Sequence, residues 1–153
     1  MTQRPFNPMH LLRAAAVLLV LFAVGHTLGF LAFKAPTQEG RAVFASMNEV
    51  RFSVGGHDYS YGGFYRGFGL DVSAYLIFTA LLAWRIGDFV RESPRLVRSL
   101  TTYLLALQLV NAGVSVAYFS LAPQVLSAFM VVLVAAALWR MPRRSQTALV
   151  APG

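Results

Sequence analysis

Two ionisable side chains, His26 and Asp71, stand inside long apolar runs of this sequence. A titratable group in hydrocarbon is costly, so each needs a partner or a task. An imidazole and a carboxylate at one depth could move a proton, hold the polar end of a ligand, or bond to each other. A third apolar run carries Gln108, Asn111, Ser115 and Tyr118 at 3-4-3 spacing, which is one face of a helix. Such a face should point into a bundle and away from lipid. Gln124 and Ser127 add a smaller polar face further on, and Tyr59, Tyr61, Tyr65 and Arg66 lie just before Asp71. The expected ligand-binding set is His26, Tyr61, Tyr65, Arg66, Asp71, Asn111, Ser115 and Tyr118.

Each of these residues also has a plainer reading. His26 could be a neutral histidine bonded to Asn111, Asp71 or a backbone carbonyl, holding two helices together for about 1 kcal/mol. Asp71 could be paired with Arg66 or hydrogen-bonded to His26 or Tyr75. The tyrosines with Phe64 and Phe68 form an aromatic belt of the kind found at membrane interfaces, and Trp84 and Trp139 mark the opposite interface. A metal site is not expected, because His26, His57, Asp58 and Asp71 share no ligand spacing and His10 lies at the far end. Gly67-Phe68-Gly69 lacks the context of a nucleotide loop. Without cysteine the chain has no disulfide, thiolate nucleophile or iron–sulfur ligand. No cofactor is implied.

The elements that must position these groups are membrane-spanning. The chain has 153 residues, 57% hydrophobic and 12% charged. That charged fraction is about half of the roughly 25% of a soluble domain. Four apolar runs, at about 11–33, 64–90, 100–119 and 121–139, are each near the ~20 residues a helix needs to cross hydrocarbon. The first is too long for the apolar core of a signal peptide and lacks a small-x-small cleavage site near Ala35, so it reads as a retained helix. At 1.5 Å per residue, His26 before Phe33 and Asp71 after Phe64 both lie about 10 Å inside the same membrane face.

Arginine sets the orientation. Nine of the 13 basic residues fall on one side: Arg4, Arg13, Arg85, Arg91, Arg95, Arg98, Arg140, Arg143 and Arg144. On the other side Lys34, Arg41, Arg51 and Arg66 are matched by Glu39, Glu49, Asp58 and Asp71. The positive-inside rule then places both termini in the cytoplasm of an inner-membrane protein. The basic residues are short flanks without a reading element, so the net charge of +7 does not indicate nucleic acid.

The connections are unequal. Residues 120–123 join the last two runs as a tight hairpin, with Pro123 suited to a first helical turn. Residues 34–63 form a long outward loop, and loops of that length are usually functional. Val43, Phe44, Met47 and Val50 recur at helical spacing between Thr37 and Arg51, predicting a short amphipathic helix on the bundle or at the interface. Arg51–Val54 and Tyr59–Tyr61 alternate around Gly55-Gly56-His57-Asp58, predicting a small hairpin. Gly25 and Gly29 flank His26 as a pair that would let another helix approach closely. The expected fold class is an all-α membrane protein. It is a four-transmembrane-helix bundle in a single domain, with an outward polar pocket under the loop and a cytoplasmic tail at 140–153.

Gly62-Gly63-Phe64-Tyr65-Arg66-Gly67-Phe68-Gly69-Leu70, preceded by the loop helix and by His26-Thr27, resembles an uncharacterised family of small four-helix bacterial inner-membrane proteins. The resemblance extends over most of the chain. It implies a bacterial source and the same architecture, and it brings no activity with it. A looser likeness to DoxX-type membrane proteins rests on helix count alone.

On function, the residues favour a non-enzymatic protein. It would bind a small amphipathic or lipid-soluble molecule such as a lipid, quinone or isoprenoid, in contact with membrane lipids. An isomerase or oxidoreductase using Asp71 and His26 is the first alternative. A structural or assembly subunit, packed against a partner or a second copy, is the other. A transporter is disfavoured, since four helices without a repeat have no second half to rock against.

Overall fold

In the computed structural model the described residues are 7–142. Arg4, Arg143, Arg144 and the rest of the expected tail lie outside them. The elements in chain order are α1 (Pro8–Ala32), α2 (Gln38–Glu49), β1 (Arg51–Val54), β2 (His57–Ser60), α3 (Tyr61–Asp88), α4 (Pro94–Tyr118) and α5 (Leu121–Arg140). Apart from the two short strands the protein is all-α. α1, α3, α4 and α5 are long and apolar enough to cross a membrane, as in a multi-pass membrane protein.

The helices outrun the apolar segments. α4 starts at Pro94, six residues before the apolar run, with proline in its first turn where the missing N–H costs nothing. Arg95 and Arg98 sit in turns that a hydropathy reading leaves out, because charge does not end a helix. Likewise α3 starts at Tyr61, directly after β2. The helix runs unbroken through Gly62, Gly63, Gly67 and Gly69 at its head.

The chain groups into two compact units. The first comprises the described residues up to Leu18 and those from Ala80 onward. Its main contact is the α4–α5 hairpin. Val97, Thr101, Leu104, Gln108 and Ser115 are buried on α4, and Ser127, Met130, Val134 and Ala137 on α5. Both sets follow the 3-4 spacing of a packed helix seam. Ser115 and Ser127 hydroxyls meet at 2.9 Å. Arg98 donates from one guanidinium nitrogen to the carbonyls of Leu138 and Met141, each at 3.2 Å. A cation there adds to the Met141 N–H as a donor to the Leu138 carbonyl and opposes the negative end of the α5 dipole. Arg13 pairs with Asp88 at 3.0 Å and lies over the Trp84 ring, 5.1 Å from its centroid.

The second unit, Leu19–Thr79, holds the remaining α1 and α3 turns, α2 and the strands. Thr37 caps α2 by accepting from the Gly40 N–H at 3.0 Å, worth about 1 kcal/mol. Arg41 donates to the carbonyls of Ala35 and Pro36, tying the approach to the helix. The hairpin is tighter than its sequence pattern suggests. Gly55 and Gly56 both take positive φ, 61° and 81°, so two residues complete the turn. His57 and Asp58, expected in the turn, instead pair with Val54 and Ser53 in the ladder. Tyr61, expected in the second strand, belongs to α3.

Candidate functional site

The expected site residues fall into both units, and each group is taken in its own. In Leu19–Thr79, α1 side chains reach the α3 backbone at Gly69. A Cβ on Gly69 would stand 2.5 Å from Phe30 Cε2 and 2.7 Å from Cε1, well inside contact distance. Only glycine lets the ring lie there. The backbone is thereby open to polar side chains. His26 Nε2 lies 3.1 Å from the Gly69 carbonyl oxygen. A carbonyl only accepts, so Nε2 carries the proton. Ser73 donates to the same carbonyl at 3.1 Å, leaving its oxygen to accept from Thr27 at 2.8 Å. His26 therefore serves here as a helix-to-helix tie through a backbone carbonyl, and its ring stacks on Phe30 at 5.8 Å.

Gly25 and Gly29 do not take part in this contact. Nothing lies within 4 Å of a Cβ built on either, so they do not admit the close neighbour that their spacing suggests. The side of α1 facing α3 is set by His26, Thr27 and Phe30, and the glycines make no such contact.

Asp71 is exposed, and among the described residues it has no hydrogen bond or ion pair, whether with Arg66, His26 or Tyr75. The reason is rotational. Two residues beyond Gly69 turn the helix by about 160° the other way, so Asp71 stands opposite the carbonyl that His26 reaches. The imidazole and the carboxylate are not assembled as an acid–base pair. Arg66, Tyr61 and Tyr65 are exposed as residues, although both tyrosine rings are in contact with other aromatics.

Those rings build the anchor of α2. Phe44 sits between Phe33 at 5.7 Å and Tyr65 at 5.9 Å, and Tyr65 in turn meets Phe30 at 5.7 Å. A second cluster gathers on Phe52, which touches Tyr59, Tyr61 and Phe64, while Phe64 meets Phe68 edge-on at 4.8 Å. Each such pair contributes roughly 0.5–1.5 kcal/mol beyond burial. At Gly62 a Cβ would strike the Asn48 side chain, so a second glycine of the α3 head is needed for α2 to pack.

With Phe44 turned to the anchor, the other apolar side of α2 is left open. No residue of α2 is buried. Ala42, Val43, Ser46, Met47 and Val50 with Tyr61 line a groove of about 370 Å³. Ser46 and Tyr61 are the polar residues of an otherwise hydrocarbon lining. Periodicity identified the apolar positions of α2. It could not show that Phe44 would be turned to the aromatic anchor while Val43 stays exposed.

In the other unit, Ser115 is buried and engaged by Ser127, Asn111 is half-buried, and Tyr118 is exposed. Gln108 is buried, and its Nε2 has no hydrogen bond among the described residues. No protein-family model, characterised protein or solved structure matches the chain. Function is therefore argued from these contacts alone.

Proposed function

We propose that this is a bacterial inner-membrane protein, with both termini cytoplasmic, that binds a small amphipathic molecule along the open side of α2. The groove at Val43, Met47, Val50 and Tyr61 is the observation that carries this reading. Its volume falls in the range of small-molecule sites, and its lining is apolar apart from Ser46 and Tyr61, in keeping with the composition of such sites. An acyl or isoprenoid chain suits the aliphatic wall, and its polar end suits Ser46 and Tyr61. The orientation rests on Arg13, Arg85, Arg91, Arg95, Arg98 and Arg140, which flank the helices on one side. The bacterial inner membrane rests on the resemblance at Gly62–Leu70.

The test is purification in mild detergent followed by mass spectrometry of extracted lipids. A specific lipid or quinone should co-purify with the wild type. It should be lost from Val43→Asp and Met47→Glu, which place charge in the groove without touching the Phe44 anchor. An identical lipid complement in all three proteins would overturn the reading.

A further inference from the structure

The side of α3 opposite His26 raises a separate question. Asp71 lies ten residues from the start of α3 and 17 from its end. These correspond to about 15 Å and 25 Å, and the helix exceeds ~30 Å of hydrocarbon by roughly 10 Å. With that excess shared between the ends, the carboxylate sits about 10 Å inside hydrocarbon. It is exposed, and its neighbours on that face, Phe64, Gly67, Ala74 and Phe78, are exposed as well. A Cβ added at Gly67 would meet nothing within 4 Å, so the backbone one turn before Asp71 is open to close approach.

A carboxylate facing lipid at this depth is expensive, and its single methylene is too short to lift it to the headgroups. Lysine and arginine escape by reaching to the interface; aspartate cannot. We propose that the outer face of α3 from Phe64 to Phe78, centred on Asp71, docks a transmembrane helix of another protein that carries an arginine or lysine at the depth of Asp71.

Charge chooses this occupant over a second copy. Two copies related by an axis along the membrane normal would bring Asp71 against Asp71. The nearest cation of the chain on α3, Arg66, is five residues away, about 7.5 Å along the axis and 140° around it. Arg13 and Arg85 are already engaged with Asp88. A foreign helix with a basic residue supplies the missing charge, and Gly67 gives its backbone room.

The 153-residue chain has no cysteine, so one introduced near a terminus labels it uniquely. It is reconstituted in phosphatidylcholine vesicles with synthetic helices of about 20 leucines, carrying either leucine or a single arginine about seven residues from one end, the depth of Asp71. Energy transfer reads association. The arginine helix should associate at least about tenfold more tightly than the leucine helix, a modest share of the cost of a lipid-exposed charge. Asp71→Asn should remove the difference, and Asp71→Arg should restore it for a helix carrying aspartate. The melting temperature of each variant establishes that it is folded, and Asp71→Glu, which keeps the charge, should retain the preference. Equal association of both helices, or a preference that survives Asp71→Asn, would overturn the proposal. So would association between copies of the chain that depends on Asp71, which would make a second copy the occupant. None of these results bears on the α2 groove.

Discussion

Gly69→Ala tests the α1–α3 contact most directly. The new methyl would lie 2.5 Å from Phe30 Cε2 and 2.7 Å from Cε1, with Cζ nearer still. Restoring ordinary carbon–carbon contact means moving the ring by about 1 Å. The ring is not free to swing, since His26 stacks on one side of it and Tyr65 meets it at 5.7 Å. Overpacking of this kind costs roughly 1–3 kcal/mol. Separating the helices also stretches the His26 bond to the Gly69 carbonyl and the Thr27–Ser73 bond, where interhelical bonds in membranes average about 0.6 kcal/mol. The expected loss is roughly 2–4 kcal/mol. Reversible unfolding in mixed micelles, followed by circular dichroism, measures it. Phe30→Leu removes the obstructing ring atoms, so in the double variant the alanine should cost less. The cycle should show a coupling of at least about 1 kcal/mol. An alanine variant within about 0.5 kcal/mol of wild type, or strict additivity with Phe30→Leu, would refute the reasoning.

Three further perturbations follow from contacts elsewhere. Arg98→Ala removes two charge-assisted bonds to the Leu138 and Met141 carbonyls and should lower stability by roughly 1.5–3 kcal/mol in the same assay, with Arg98→Lys between the two. Ser115→Ala and Ser127→Ala each leave one hydroxyl unpaired, and their cycle should give a coupling near 0.6 kcal/mol, typical of membrane helix pairs. Gly55→Val forces a branched residue to a φ of 61° and should cost about 1–2 kcal/mol, whereas Gly55→Asn should be nearly silent; amide exchange of β1 and β2 reports the difference.

Length of apolar run was enough to find the four spans, because hydrocarbon thickness imposes one length on every crossing helix. α2 and the hairpin were legible for a different reason: spacing at Val43, Phe44, Met47 and Val50, and the paired glycines, act locally. What could not be read was rotation about each helix axis. His26 and Asp71 share a depth, and depth follows from counting residues. Whether they face one another depends on which side of α3 meets α1, and that was decided by the room at Gly69. Gly25 and Gly29 illustrate the same point from α1, having the spacing of a contact without a neighbour. Ser115 belonged to a polar stripe, yet its hydroxyl is engaged by Ser127, because the tight turn at Phe119 and Ser120 folds α5 back onto that face.

That turn bears on the order of assembly. A connection of two residues closes with little loss of chain entropy. The α4–α5 pair is then fastened at both extremities, by Ser115 with Ser127 beside the turn and by Arg98 on the last carbonyls of α5. Sliding one helix by a turn would break both fastenings together, so the register is decided within this segment. Its contacts are local and its ends are secured from within. The hairpin can therefore leave the insertion machinery as a finished piece, while Arg13 must wait for Asp88, 75 residues later, before its own ion pair can form.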